Sequence, residues 1–224
     1  GDGVAISVRE ALKLKGIDPK GATVAIQGFG KVGYWTALAL EEMGLKVVAV
    51  SDVSGGVTGF KSVTDLQKYA QENGTLSNAP GTDGLTNTEL LHLGVDVLVP
   101  AALSDAITEA TATGIKAKIV VEGANAPTTP SGDAIMNENG VLVVPDILAN
   151  SGGVIVSYFE WVQDKQNYFW SAEEVKTNLS AILMRAITEV ADKAKGEKLT
   201  WREAANMIGV SRVAQAHRLR GLYP

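Results

Sequence analysis

Thr23-Val24-Ala25-Ile26-Gln27-Gly28-Phe29-Gly30-Lys31-Val32-Gly33 is the stretch that decides the fold of this chain. Its first five residues are a mainly apolar run that reads as a strand, and Val32–Met43 takes up helical spacing. Glycines stand where the two meet. Gly28 permits a tight turn, Gly30 lets an anion come against backbone amides at the positive end of the helix, and Gly33 lets helix and strand pack closely. A bare GxGxxG carries little weight. Placed between a strand and a helix, Gly28-Phe29-Gly30-Lys31-Val32-Gly33 reads as the pyrophosphate turn of a dinucleotide site.

Nineteen residues after Gly33, Asp52 ends a second apolar run, Lys46–Ser51. A carboxylate at that point accepts the hydroxyls of an adenosine ribose and repels a 2′-phosphate. The competing reading has the glycines serving only a turn and Asp52 capping a loop. It is disfavoured once strand, helix and acid stand in register. No Lys or Arg follows Asp52 until Lys61, which favours NAD, while Lys31 inside the fingerprint leaves NADP open.

Working outward, strand-like runs recur at Val95–Val99, Lys118–Val121 and Val141–Val144, and helical spacing at Val63–Asn73, Asp105–Thr113 and Ser131–Asn139. The alternation predicts an α/β fold of the Rossmann type: a doubly wound, mostly parallel sheet with helices on both faces and a C-terminal helical extension. The strand runs are nearly all apolar, as both-face burial requires. Val53–Gly59 and Asn73–Gly84, each with three glycines, read as surface loops. At the start, Val4, Val8, Ala11 and Leu12 predict a helix ended by Gly16. After Pro145 helices are expected over Ala149–Gln166, Ala172–Lys195 and Trp201–Leu219, the last two opened by the capping-box pairs Ser171/Glu174 and Thr200/Glu203. The expected division is a dinucleotide-binding unit over 1–148 and a helical extension over 149–224.

Composition bounds the function. The 224 residues are 46% hydrophobic, enough to bury a substantial core. Twenty basic against 25 acidic residues, dispersed, give a charge of −5 and argue against a nucleic-acid or anionic-membrane surface. The absence of cysteine excludes disulfides, thiolate metal sites and a cysteine nucleophile, and agrees with a cytoplasmic protein; no metal is expected. No apolar stretch approaches the roughly 18 residues of a membrane span, and Gly1-Asp2-Gly3 does not open a signal sequence.

Three segments follow strand runs, where doubly wound sheets place their ligands: Pro100–Leu103 with Ala101 and Ala102, Glu122–Pro127 with Asn125, and Pro145–Asn150 with Asn150. The two asparagines offer uncharged donor and acceptor groups suited to a carboxamide or a ribose hydroxyl, and equally to an Asx-turn or a helix cap. His92 and His217, the only histidines, read as surface or helix-end residues. Tyr158, Phe159, Trp161, Tyr168, Phe169 and Trp170 read as packing between domains, with exposed apolar surface expected around Phe159, Trp161 and the terminal helices.

The ordered phrases GFGKVG, AVSD, VLVPAAL, EGANAPTTP, PDILANSGGVIVSYFEWVQ and RVAQAHRLRG resemble the cofactor-binding half of the glutamate dehydrogenases, in the superfamily that includes leucine, valine and phenylalanine dehydrogenases. The likeness runs through essentially the whole chain. It implies a pyrophosphate turn at Gly28–Gly33, with Phe29, Lys31 and Val32 among the cofactor contacts, and Asp52 at the adenosine ribose. It implies Ala101 and Ala102 along the cofactor and Asn125 and Asn150 near the nicotinamide. Val154 and Ser157 match positions of the amino acid pocket, the serine hydroxyl reaching the side-chain carboxylate of glutamate; the reading without the family is a serine bonded to its own helical turn. Lys31 departs from the family's more usual Asn. The family's catalytic lysine and aspartate belong to an amino-terminal domain whose motifs are not found here, so no catalytic residue is expected in this chain. Gly1-Asp2-Gly3-Val4 is similar to the family's Gly-Arg-Gly-Val helix start, and the expectation is a cofactor domain alone. That domain would bind NAD without turnover, as a monomer or small oligomer, within a homohexameric parent acting on L-glutamate and 2-oxoglutarate.

Overall fold

The computed structural model describes residues 1–221. Strands β1 (Thr23–Gln27), β2 (Lys46–Asp52), β3 (Gly55–Thr58), β4 (Asp83–Leu85), β5 (Val97–Pro100), β6 (Ile119–Val121) and β7 (Leu142–Val144) form one sheet in the order β4-β3-β2-β1-β5-β6-β7. Pairings β2–β1–β5–β6–β7 are parallel, and β3 runs against both its neighbours. The chain proceeds outward from β1 to β2 in one direction and later returns to place β5 on the other side of β1. The carboxyl ends of β1 and β5 therefore form the point where the winding reverses.

The period-2 geometry of the strands sends alternate side chains to opposite faces. Val24 and Ile26 join a core with α1 (Asp2–Leu14), α2 (Lys31–Glu42), α3 (Val63–Asn73), α9 (Ala172–Glu197) and α10 (Trp201–Arg220). Ala25 joins a second core on the other face, with α4 (Asn87–Leu91), α5 (Glu109–Ala112) and α6 (Pro130–Glu138). The short α7 (Asp146–Ala149) leads into α8 (Gly152–Gln166). Ile187, Val190, Ala194, Ala204 and Ala205 of the last two helices share the first core with the strands. The predicted capping boxes open α9 and α10: Ser171 and Thr200 accept from the amides of Glu174 and Glu203, whose carboxylates accept in return.

α1 carries its predicted face inward, with Val8, Ala11 and Leu12 fully buried. It meets α8 at two glycines: a Cβ on Gly3 would stand 2.9 Å from Gly152 Cα, so the backbones touch.

Three expectations are corrected. The segment Val53–Gly59 is not a surface loop but contains β3, which forms a hairpin with β2 across Asp52 and Gly55; its outer partner β4 begins inside the other expected loop, Asn73–Gly84. Gly55-Gly56-Val57-Thr58 has little strand propensity, and pairing on both sides compensates for it. The helix expected over Asp105–Thr113 is only Glu109–Ala112. Ile107 is drawn into a parallel bridge with Thr128, its amide donating to Pro127 O at 2.8 Å. Phe159 is buried at 3% exposure, packed with Ile6, Leu179 and Leu183, so the exposed members of that aromatic set are Tyr158, Trp161, Tyr168 and Phe169.

Candidate cofactor-binding site

At the reversal point the backbone approaches are too close for side chains. Gly28 has φ +96°, and a Cβ there would lie 2.8 Å from the Ala101 carbonyl and the Ala102 nitrogen. A Cβ on Gly33 would lie 1.8 Å from Gly28 O. One on Gly123, after β6, would meet Ala101 Cβ at 3.1 Å and Val32 Cγ1 at 3.4 Å. The loops following β1, β5 and β6 thus converge on backbone. Phe29 is buried, its ring edge-on to Tyr34 at 5.9 Å.

Gly30 behaves differently. It is the N-cap of α2, no side chain caps the helix, and no acid stands in its first turn. A Cβ on Gly30 would meet nothing within 4 Å. The amino end of α2 is therefore open, positive and unblocked, the condition under which a phosphate can sit on helix amides. Lys31 and Val32, the next two residues, are exposed.

Asp52 closes β2 and is half-buried. Its Oδ1 accepts from the Ser54 amide at 2.7 Å and the Ser54 hydroxyl at 2.5 Å, and its Oδ2 accepts from the Leu76 amide at 2.6 Å. The same carboxylate therefore shapes the β2–β3 hairpin and pins the loop that follows α3. Carboxylate oxygens have acceptor capacity beyond these three bonds. Lys61 is separate from this arrangement, in a cleft with Ser62, Asp65 and Lys68.

Asn125 and Asn150, 25 residues apart, are brought together: Asn150 Nδ2 donates to Asn125 Oδ1 at 2.7 Å and reaches Ala124 O at 3.4 Å. Asn150 also lines a cleft of about 440 Å³ with Val32, Trp35, Gly152 and Val156, joining the start of α2 to the start of α8. Val154 and Ser157 do not line it. They stand with Tyr158 and Trp161 at helical spacing on the exposed side of α8. Ser7 and Thr188 donate to carbonyls of their own turns at 2.9 Å; Ser157 makes no such bond among the described residues. His92 is the C-cap of α4, its Nε2 2.9 Å from Thr111 O, and His217 lies in the last turn of α10.

Sequence reasoning missed Glu122, Asp146 and Arg202, which form an ion network beneath the asparagines. A signal was there: Glu122 is a charge placed directly on the end of the wholly apolar β6 run.

A sheet wound both ways from β1, with a glycine-lined turn and an uncapped helix at the reversal, defines the Rossmann class of nucleotide-binding α/β domains. Residues 1–221 match the model of the Glutamate/Leucine/Phenylalanine/Valine dehydrogenase family, and the chain belongs to that family. It is 50% identical over 228 aligned positions to a glutamate dehydrogenase of Thermotoga maritima, covering 100% of this chain and 55% of that protein. A catabolic NAD-specific glutamate dehydrogenase of Bacillus subtilis is 44% identical, over 98% of this chain and 52% of that protein. Among solved structures, the hetero-hexameric glutamate dehydrogenase of Thermus thermophilus in a leucine-bound form superposes with a TM-score of 0.93 at 35% identity, over 99% of this chain and 53% of that one. The chain spans about half the length of these relatives.

Proposed function

We propose that residues 1–148 bind a nicotinamide dinucleotide, with 149–224 as a helical extension carrying part of the amino acid pocket, in a protein that oxidatively deaminates L-glutamate to 2-oxoglutarate and ammonia. The observation that carries this reading is the uncapped amino end of α2 under an unobstructed Gly30, at the reversal point of the sheet. The residues fit the group. Gly28, Gly30 and Gly33 would hold the pyrophosphate against amides, with Phe29, Lys31 and Val32 supplying the rest of the turn. Asp52 would accept from the adenosine ribose. Ala101 and Ala102 would line the path, and Asn125 and Asn150 would meet the nicotinamide ribose and carboxamide. When bound, a nicotinamide would supply the redox chemistry, as the acceptor for a hydride from the substrate α-carbon.

The remaining work belongs to orientation and exclusion of water. Val154 would pack beside the substrate and the unbonded hydroxyl of Ser157 would donate to its side-chain carboxylate. Only an acidic substrate rewards a hydroxyl in that place, which favours glutamate over apolar amino acids. The NAD-specific relative and the absence of a basic residue close after Asp52 favour NAD over NADP. In this reading the chain binds cofactor without turnover, its parent is a homo-oligomer of the hexameric kind, and its setting is cytoplasmic.

Calorimetric titration of the chain with NADH and NADPH at one ionic strength tests the proposal. NADH binding with much weaker NADPH is expected. Preference for NADPH would remove the role given to Asp52, binding of neither would remove the cofactor site, and substantial glutamate-dependent NADH formation would overturn the expectation of no turnover.

A further inference from the structure

Arg202 stands in the first turn of α10, where the positive helix end disfavours a cation. Helix stability therefore does not account for it. Its Nη2 donates to Glu122 Oε1 at 2.6 Å and to Asp133 Oδ1 at 3.0 Å, and its Nη1 lies 3.7 Å from Asp146 Oδ1. Burial alone would lower the guanidinium pKa, but the bonds and charges of Glu122 and Asp133 raise it above its ordinary value.

Glu122 is fully buried, and its second oxygen accepts from the Asp146 amide at 2.8 Å. A carboxylate so placed is tolerable only while both oxygens are engaged. Asp146 in turn accepts from the Ala126 amide at 2.7 Å. Ala126 has φ +45°, in the left-handed region that a residue with a Cβ avoids. The strained residue directly follows Asn125, so the bond from Asp146 fixes the direction in which Asn125 leaves the turn. Asp146 also begins α7, whose C-cap is Asn150, bonded back to Asn125. The chain of contacts Arg202, Glu122, Asp146, Ala126 thus ends on both asparagines. The adenosine side of the site, Gly28–Gly33 and Asp52, is built on other loops.

From this network we infer that Arg202, 80 residues from Glu122 in sequence, is the positioning residue for the Asn125–Asn150 pair, so that the helical extension sets the nicotinamide end of the cofactor site. The inference rests on the assignment of those asparagines to the nicotinamide. In this reading Arg202 acts through Glu122 and Asp146, which it meets directly, and not on the cofactor.

The test is binding of NADH and of ADP-ribose, which keeps the adenosine and pyrophosphate but lacks nicotinamide, to the chain and to Arg202→Lys. Lysine retains the charge but not the fork that spans the carboxylates. The NADH Kd is expected to rise about tenfold while that for ADP-ribose stays within about twofold, the loss expected when a few hydrogen bonds at one end of a ligand are disordered. Asp146→Asn should act in the same sense, and the double variant should be less than additive, as for members of one network. ADP-ribose affinity doubles as the folding control. Equal losses for both ligands would reduce Arg202 to a general structural role and overturn the inference, as would unchanged NADH binding. A wild-type chain that binds ADP-ribose as tightly as NADH would also overturn it while leaving the phosphate turn standing. Binding of neither ligand by the wild type would remove the cofactor reading itself, and this inference with it.

Discussion

Replacing Gly30 by alanine adds one methyl group in open space, and this makes it the sharpest probe of the site. The new Cβ has no neighbour within 4 Å, and the backbone at φ −80° suits an L-residue. Two small effects on stability oppose each other. Alanine restricts the unfolded chain, a gain of about 0.4–1 kcal/mol, and is a poorer N-cap than glycine, a loss of roughly 0.5–1 kcal/mol. The net change should be within about 0.5 kcal/mol, or about 2 °C in Tm for a domain of this size. Binding has no such cancellation. If a pyrophosphate rests on the α2 amides, the methyl group occupies its van der Waals surface, and NADH affinity should fall about 100-fold or more, equivalent to about 2.7 kcal/mol. Scanning calorimetry and NADH fluorescence titration on the same sample read both quantities. The contrast is Gly33→Ala, where the Cβ would sit 1.8 Å from Gly28 O and either α2 or the turn must move. Here stability itself should fall by about 3 kcal/mol, the upper end of the usual overpacking cost because the obstacle is backbone. A Gly30→Ala chain that folds and binds NADH as well as the wild type would refute the phosphate-cradle reasoning. One that unfolds would refute the claim that the space is open.

Asp52→Asn removes the charge but keeps one acceptor, so NADH should weaken and the NADPH-to-NADH affinity ratio should rise about tenfold, read by parallel titrations; an unchanged ratio would show that Asp52 only shapes the hairpin. Asp96 joins the amino ends of three strands, accepting from Lys118 Nζ at 2.8 Å and from the Thr23 amide at 2.9 Å. The Lys118 bond, then the Thr23 amide, hold its carboxyl below its ordinary value. Its stabilisation is therefore fully present above the unfolded Asp value near pH 4 and lost as pH falls through the lower folded value. Asp96→Asn should accordingly be less stable than wild type at pH 7, with the gap closing below about pH 4 in urea titrations; a gap independent of pH would contradict this. Ser157→Ala lies on the exposed side of α8 and should leave both Tm and NADH affinity unchanged in the isolated chain; a drop in either would mean that the hydroxyl serves the fold.

The aromatics of α8 divide between an open side and a covered one. Tyr158 and Trp161, with ring centroids 5.9 Å apart, lie in the open as the sequence suggested. Phe159 is covered because α1 and α9 both close over that side of the helix, which no spacing within α8 reveals.

Local chemistry made the principal features legible. The strand Thr23–Gln27, the glycine turn, the helix beyond it and both capping boxes are decided within a few residues by steric freedom, propensity and near-neighbour hydrogen bonds. Tertiary structure decided the rest. Gly55–Thr58 became a strand because β2 and β4 offered partners on both edges. Ile107 left the expected helix because the Thr128 segment claimed its amide. Arg202 meets Glu122 across a sequence separation of 80 positions. Contacts of that separation depend on the packing of the whole sheet and its helices, because closing such a loop carries an entropic cost that no local pattern records. That is why the strand, glycine turn and helix over residues 23–43 could be read from adjacent sequence, and the ion pair of Arg202 with Glu122 could not.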